Sequence, residues 1–138
     1  MDFAAVSELL ISNGAAVNAD VVCVTNSAGF VMGYFFNDLV TGDEGREGDA
    51  YPIDQTKCAK ITDNLSTVNS GDLVLLEVHA HLGETLAADT ALVYTPGAPT
   101  VTFTCTGTTL DFACKMNGLS EFTDDELSAY IEMFQGLQ

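Results

Sequence analysis

The sequence predicts an all-β fold: an antiparallel β-sandwich or jelly roll of about seven or eight strands, with a short helix at each end. Three observations predict it. Apolar and β-branched residues recur in seven short runs, the runs are joined by turns rich in Gly, Pro, Asn and Thr, and no helical period stands between any two of them. That pattern excludes the strand–helix alternation of a parallel α/β sheet. The 138 residues suit a single domain, and 47% of them are hydrophobic, so one sizeable core is available and a disordered chain is not expected.

The elements follow in order. Phe3, Val6, Leu9 and Leu10 share one helical face, which predicts a helix over residues 2–12 that ends before Asn13-Gly14. The sandwich is predicted over residues 20–117. Val21 to Thr25 is β-rich, and after Asn26-Ser27-Ala28-Gly29 the aromatic run Phe30 to Phe36 forms a second strand. Gly42 to Asp49 reads as an acidic loop, and Tyr51-Pro52-Ile53 starts an extended segment whose proline suits an edge. In Leu73 to His81, Val74, Leu76, Val78 and Ala80 share one face. Ala91 to Thr95 and Thr100 to Cys105 flank Pro96-Gly97, which suit the two central positions of a type II turn. Leu110 to Lys115 is the last strand, entered from Thr106-Gly107-Thr108-Thr109. A second helix is predicted over residues 123–136. Thr123 and Glu126 form a capping box there, and Leu127, Tyr130, Ile131 and Phe134 recur at helical spacing before Gly136.

Charge bounds the partners. Twenty acidic residues stand against Arg46, Lys57, Lys60 and Lys115, for a net charge of −16. A chain with so few cations cannot displace counterions from phosphates, which excludes DNA and RNA and disfavours anionic membranes. The longest uncharged apolar stretch, Ala28 to Phe36, has nine residues, about half of a membrane-spanning helix. The first ten residues lack the positive region of a secretory signal. What remains is basic protein surfaces, cations, neutral ligands such as glycans, or no electrostatic partner at all, with the charge serving solubility.

Catalytic signatures are missing. There is no Gly-x-Ser-x-Gly elbow, and the glycines at 42, 45 and 48 sit among acids that repel phosphate, so a non-enzymatic role is expected. His79 and His81 share a strand face with Glu77, a spacing able to chelate a transition metal. The pair with Glu84 resembles part of the cupin metal motif, yet the interval to Glu84 is one residue short and the chain has no third histidine. Asp43, Glu44, Glu47 and Asp49 offer oxygen ligands for Ca²⁺, or an acidic patch for a partner, without the spacing of an EF-hand. No cofactor is otherwise expected. Asn64-Leu65-Ser66 is a glycosylation sequon.

Cys23, Cys58, Cys105 and Cys114 allow three pairings. If Thr106 to Thr109 closes the last hairpin, Cys105 faces Leu110 and Val101 faces Cys114, which separates Cys105 from Cys114 by roughly 13 Å along the strands. That exceeds disulfide reach. Bonds are therefore expected through Cys23 or Cys58, including one between those two, with buried free thiols as the alternative. Disulfides would place the chain in a secreted or lumenal compartment; free thiols would suit the cytoplasm.

Asn26-Ser27-Ala28-Gly29-Phe30-Val31-Met32, Tyr51-Pro52-Ile53-Asp54-Gln55, Val93-Tyr94 and Gly107-Thr108-Thr109-Leu110-Asp111-Phe112 carry a resemblance. In order and spacing, the region from Val21 to Met116 resembles the small β-sandwich hemagglutinins typified by Physarum-type slime-mould lectins. The resemblance implies a jelly-roll-like sandwich and cell-surface glycan binding without catalysis. Sugar sites pair hydrogen-bonding groups with an aromatic face, which makes Tyr34, Asn37, Asp38, Tyr51 and Tyr94 the candidate ligand residues. The alternative is an acidic accessory subunit that docks onto a larger assembly through the acidic loop or through Leu127, Tyr130, Ile131 and Phe134 of the second helix.

Overall fold

A computed structural model of the chain describes residues 3–117. The helix predicted over 123–136, with Leu127, Tyr130, Ile131 and Phe134, lies outside the described residues. The described chain is mostly β, with helix α1 (Phe3–Ser12) ahead of nine strands and one short helix among them. The strands are β1 (Ala16–Ala19), β2 (Val21–Asn26), β3 (Met32–Asp38), β4 (Thr56–Lys60), β5 (Leu73–Ala80), β6 (Thr85–Ala87), β7 (Ala91–Tyr94), β8 (Val101–Thr108) and β9 (Asp111–Met116). A single helical turn, α2 (Ile61–Asn64), follows β4.

The strands form two sheets. One has the order β1-β7-β5-β3, with β6 beside β5, and the other has the order β4-β2-β8-β9. Val22, Val24 and Phe103 of the second sheet and Met32, Phe36, Val74, Leu76 and Val78 of the first belong to one fully buried apolar cluster. The predicted face of β5 is therefore the core face. Across the outer side of the first sheet, Leu10 of α1 packs on a smaller cluster of Ala16, Leu73 and Val93.

Both sheets are mixed, which corrects the expectation of strictly antiparallel pairing. β1 runs parallel to β7, and β2 runs parallel to β8. The cause is that two of the crossings between the sheets, from β1 to β2 through Asp20 and from β7 to β8 through the turn at Pro96-Gly97, run in the same sense. The two crossings lie side by side, tied by the Thr95 N–H to the Ala19 carbonyl (2.9 Å) and the Gly97 N–H to Asp20 Oδ2 (2.9 Å). Gly97 has φ of +79° and the Ala98 N–H donates to the Thr95 carbonyl, as the predicted type II turn requires.

Tyr51-Pro52-Ile53 contributes no strand; Tyr51 makes one bridge to Met32 before a turn with Asp54 at φ +69°. The edge strand is instead β4, whose Thr-Lys-Cys-Ala-Lys has no apolar face to mark it. The acidic loop is not free either. Backbone bonds from Gly45 to Phe36 (2.8 Å) and from Gly48 to Tyr34 (3.2 Å) lay it irregularly along the open edge of β3, where it blocks unwanted strand pairing. Asn64 bridges this join, accepting from the Phe36 N–H (2.8 Å) and donating to the Arg46 carbonyl (2.8 Å). The sequon asparagine is thus a structural brace.

Two disulfides, Cys23–Cys58 and Cys105–Cys114, join directly opposed residues, the first across β2 and β4 and the second across β8 and β9. The second corrects the expectation that Cys105 and Cys114 lie out of reach. The threonines around Gly107 favour strand over turn, so β8 runs on to Thr108 and only Thr109-Leu110 remain to turn the chain. Cys105 consequently faces Cys114 rather than Leu110. Gly107, at φ +118°, permits this closure, since a Cβ there would collide with the Asp111 carbonyl and the Phe112 Cα.

Candidate functional site

Three connections converge at one end of the two sheets: Ser27 to Val31 between β2 and β3, His81 to Glu84 between β5 and β6, and Thr109-Leu110 between β8 and β9. Backbone bonds from Gly29 to Gly107 (3.0 Å) and from His81 to Val31 (2.8 Å) stitch them together. Gly83 lies so close to Thr109 that a Cβ on it would overlap the threonine methyl. The base of this end is fixed by Asn26, which is wholly buried. Its Nδ2 donates to the Phe30 and Tyr51 carbonyls (2.7 and 3.0 Å), and its Oδ1 accepts from the Ala28 N–H (2.9 Å). Beneath the turns Phe30 and Phe112 meet edge to face at 4.7 Å.

On this platform Leu82 is 91% exposed, Leu110 83% and Val31 39%. Leu82 also has φ of +61°, a left-handed conformation that costs a leucine about 1 kcal/mol and that glycine or asparagine would take with less strain. Neither packing nor backbone geometry rewards this residue. His81, Glu84, Thr108 and Asp111, all exposed, lie on the same connections or strand ends and bring hydrogen-bonding side chains to this end of the sheets. Sequence reasoning passed over these leucines. Their signal was an aliphatic residue placed inside a turn, in His81-Leu82-Gly83 and in Thr109-Leu110-Asp111.

The predicted sugar residues lie elsewhere and do not form an exposed aromatic face. Tyr51 is 1% exposed, and its hydroxyl donates to the Val24 carbonyl (2.7 Å); Tyr34 is 8% exposed and donates to the Lys57 carbonyl (2.8 Å). Burial pushes the Tyr34 hydroxyl up to about 12 and raises that of Tyr51 further. Tyr94 is buried on β7, and Asn37 is half-buried on β3. Asp38 is fully buried, with Oδ1 accepting from the Val40 and Thr41 N–H groups (2.8 and 3.1 Å) and Oδ2 left without an N–H donor. Its neighbour Asp72 is also buried. Burial first, and then the hydrogen bond and charge of Asp38, raise the Asp72 carboxyl above the usual carboxylate range.

The two histidines are separated in role. His79 Nδ1 pairs with Glu47 Oε1 at 3.0 Å, while His81 lies exposed in the turn after β5. Among the described residues no group of three or more His, Cys, Asp or Glu side chains is placed to hold a metal ion. In the acidic segment Asp43 accepts from the Thr67 hydroxyl (2.9 Å), and Glu44 and Asp49 are exposed. No helix among the described residues is long and apolar enough to cross a membrane.

No family model matches the sequence, and no curated protein matches it. Solved structures with partial similarity include a non-hemolytic pneumolysin from Streptococcus pneumoniae strain ST306, at 15% identity and TM-score 0.41 over 71% of this chain and 23% of that one. A disulfide-locked mutant of intermedilysin with human CD59 gives 14% identity and TM-score 0.39 over 71% and 24%. The membrane-binding domain of pneumolysin gives 16% identity and TM-score 0.41 over 71% and 95%. The chain spans about a quarter of the length of the first two. Likeness at this level leaves ligand and activity to this chain's own residues.

Proposed function

We propose that the protein is a non-catalytic, lectin-like β-sandwich module of a secreted or lumenal compartment, which binds surface-displayed carbohydrate through its turn-lined end. The observation that supports this reading is Leu82, held exposed in a left-handed turn at the same end of the sheets as the exposed Leu110. In it, the leucines cover the apolar face of a sugar ring or its lipid anchor, and His81, Glu84, Thr108 and Asp111 receive hydroxyls. The two disulfides support the oxidising compartment.

A printed glycan array, probed with and without Ca²⁺, tests this function. Selective binding that is lost in Leu110→Ser supports it. Failure on every glycan, together with retention on plain phosphatidylcholine vesicles, would reassign the end to lipid.

A second reading is an acidic accessory subunit, favoured by the exposed carboxylates of Glu44 and Asp49 along the β3 edge. Association with a basic partner that weakens steeply with salt would support it over sugar recognition.

A further inference from the structure

The two disulfides differ in access. Cys58 is exposed on β4, and its partner Cys23 is 8% exposed on β2. Cys105 and Cys114 are 0% and 2% exposed and belong to the apolar core. A thiolate arriving from solvent therefore meets Cys58 first, and exposed disulfides are the ones that exchange readily.

The surroundings of Cys58 also select the thiol. β4, β2 and β8 carry no Asp or Glu, although the chain has twenty. Two of the four cations, Lys57 and Lys60, flank Cys58. Lys57 is engaged, with Nζ 5.4 Å from the centre of the Tyr51 ring and donating to the Asp49 carbonyl (3.4 Å). Lys60 is exposed and makes no ion pair among the described residues. It stands two positions from Cys58, on the same face of the strand. Its ammonium attracts an anion approaching the Cys58 sulfur, whereas the chain as a whole, at net charge −16, repels one.

β4 leans on this bond. It is paired with β2 at the edge of its sheet, and none of its five residues is buried. Apart from the backbone ladder it is held by the contact between the Thr25 and Thr56 hydroxyls (2.7 Å) and by the Tyr34 hydroxyl, which donates to the Lys57 carbonyl (2.8 Å).

We infer that Cys58 is a thiol–disulfide exchange site for small anionic thiols, and that opening the Cys23–Cys58 bond there loosens β4 from the sheet. The incoming thiolate attacks Sγ of Cys58, the bond to Cys23 breaks, and the Cys23 sulfur leaves as a thiolate that takes a proton from water. One disulfide is thereby exchanged for another. A second thiolate attacking the mixed disulfide releases Cys58 as a thiol and carries away the small thiol as its own disulfide, which completes the reduction.

Reduced glutathione is the probe, added to the full-length protein near neutral pH, with acid quenching and mass-spectrometric mapping. The expected adduct is on Cys58, with Cys105–Cys114 intact. Lys60→Gln should slow its formation about threefold or more and leave exchange with cysteamine, whose attacking form has no net charge, unchanged. In excess glutathione, amide hydrogen exchange across 56–60 should quicken about tenfold while 73–80 stays protected. An adduct first on Cys105 or Cys114, or none before the β-sheet circular dichroism is lost, would overturn the assignment. So would equal slowing of both thiols by Lys60→Gln, or unchanged exchange in β4.

Discussion

His79 of β5 and Glu47 of the acidic segment meet beside β3 at the one residue of that strand with no side chain: Gly33 is the register partner of His79, and the Glu47 carboxylate lies where a Cβ of Gly33 would stand. This contact, with the Asn64 brace, fastens the segment to the sheet edge. It also occupies one nitrogen of the histidine that the His-x-His spacing offered to a metal.

Gly33→Ala should displace Glu47 and open that contact. Both partners are about a third exposed, so the expected cost is under about 1 kcal/mol. A double-mutant cycle by chemical denaturation checks this: Gly33→Ala combined with Glu47→Gln should cost no more than the larger single change, and additive losses would dissociate the two residues.

Asn26→Ala should be far more damaging. It strands the Phe30 and Tyr51 carbonyls and the Ala28 N–H at a fully buried site, an expected loss of about 3 kcal/mol or more. The unfolding midpoint in urea measures it, and a loss below about 1 kcal/mol would mean that water replaces the side chain.

Stability should carry the signature of the Asp38–Asp72 pair. Because the folded-state Asp72 carboxyl titrates above its unfolded value, the folded chain holds the extra proton. The pair's contribution is fully present below the ordinary carboxylate value of about 3.9 and is lost as pH rises through the raised one. Asp72→Asn supplies a permanent N–H donor to Asp38 and still accepts from the Asn69 N–H. The variant should therefore gain on the wild type as pH rises from about 4 to 7, and a constant difference across that range would contradict the raised Asp72 carboxyl.

The disulfides should differ in consequence. The residues they join are 35 and 9 apart, for which loop-closure entropy predicts losses of about 4 kcal/mol for Cys23→Ser with Cys58→Ser and about 2.5 kcal/mol for Cys105→Ala with Cys114→Ala. Cys58 is exposed whereas Cys105 and Cys114 are buried, so mild reductant and alkylation should label Cys58 first. Peptide mapping reads the order directly.

What was legible in the sequence depended on how local its cause is. The alternation of Val74, Leu76, Val78 and Ala80 marks a half-buried strand anywhere, and Pro96-Gly97 marks its turn by backbone chemistry alone. β4 was hidden because an edge strand with two lysines has no apolar period. The Cys105–Cys114 bond turned on where a run of threonines stops being strand, which Gly107 decides through a contact with the opposite strand. Tyr34 and Tyr51 have the composition of a sugar platform, yet the acceptors for their hydroxyls, on Lys57 and Val24, come from the other sheet. Leu82 and Leu110 acquire meaning only when three turns from distant parts of the chain arrive at the same end.

The most direct test is red-cell binding by the full-length protein beside a Leu82→Gly, Leu110→Ser variant, with thermal melting recorded for both. Glycine suits φ of +61° better than leucine, so the variant should melt no lower than the wild type while its binding falls at least tenfold. Equal binding by the two proteins, or no binding by the wild type, would contradict recognition through the turn-lined end.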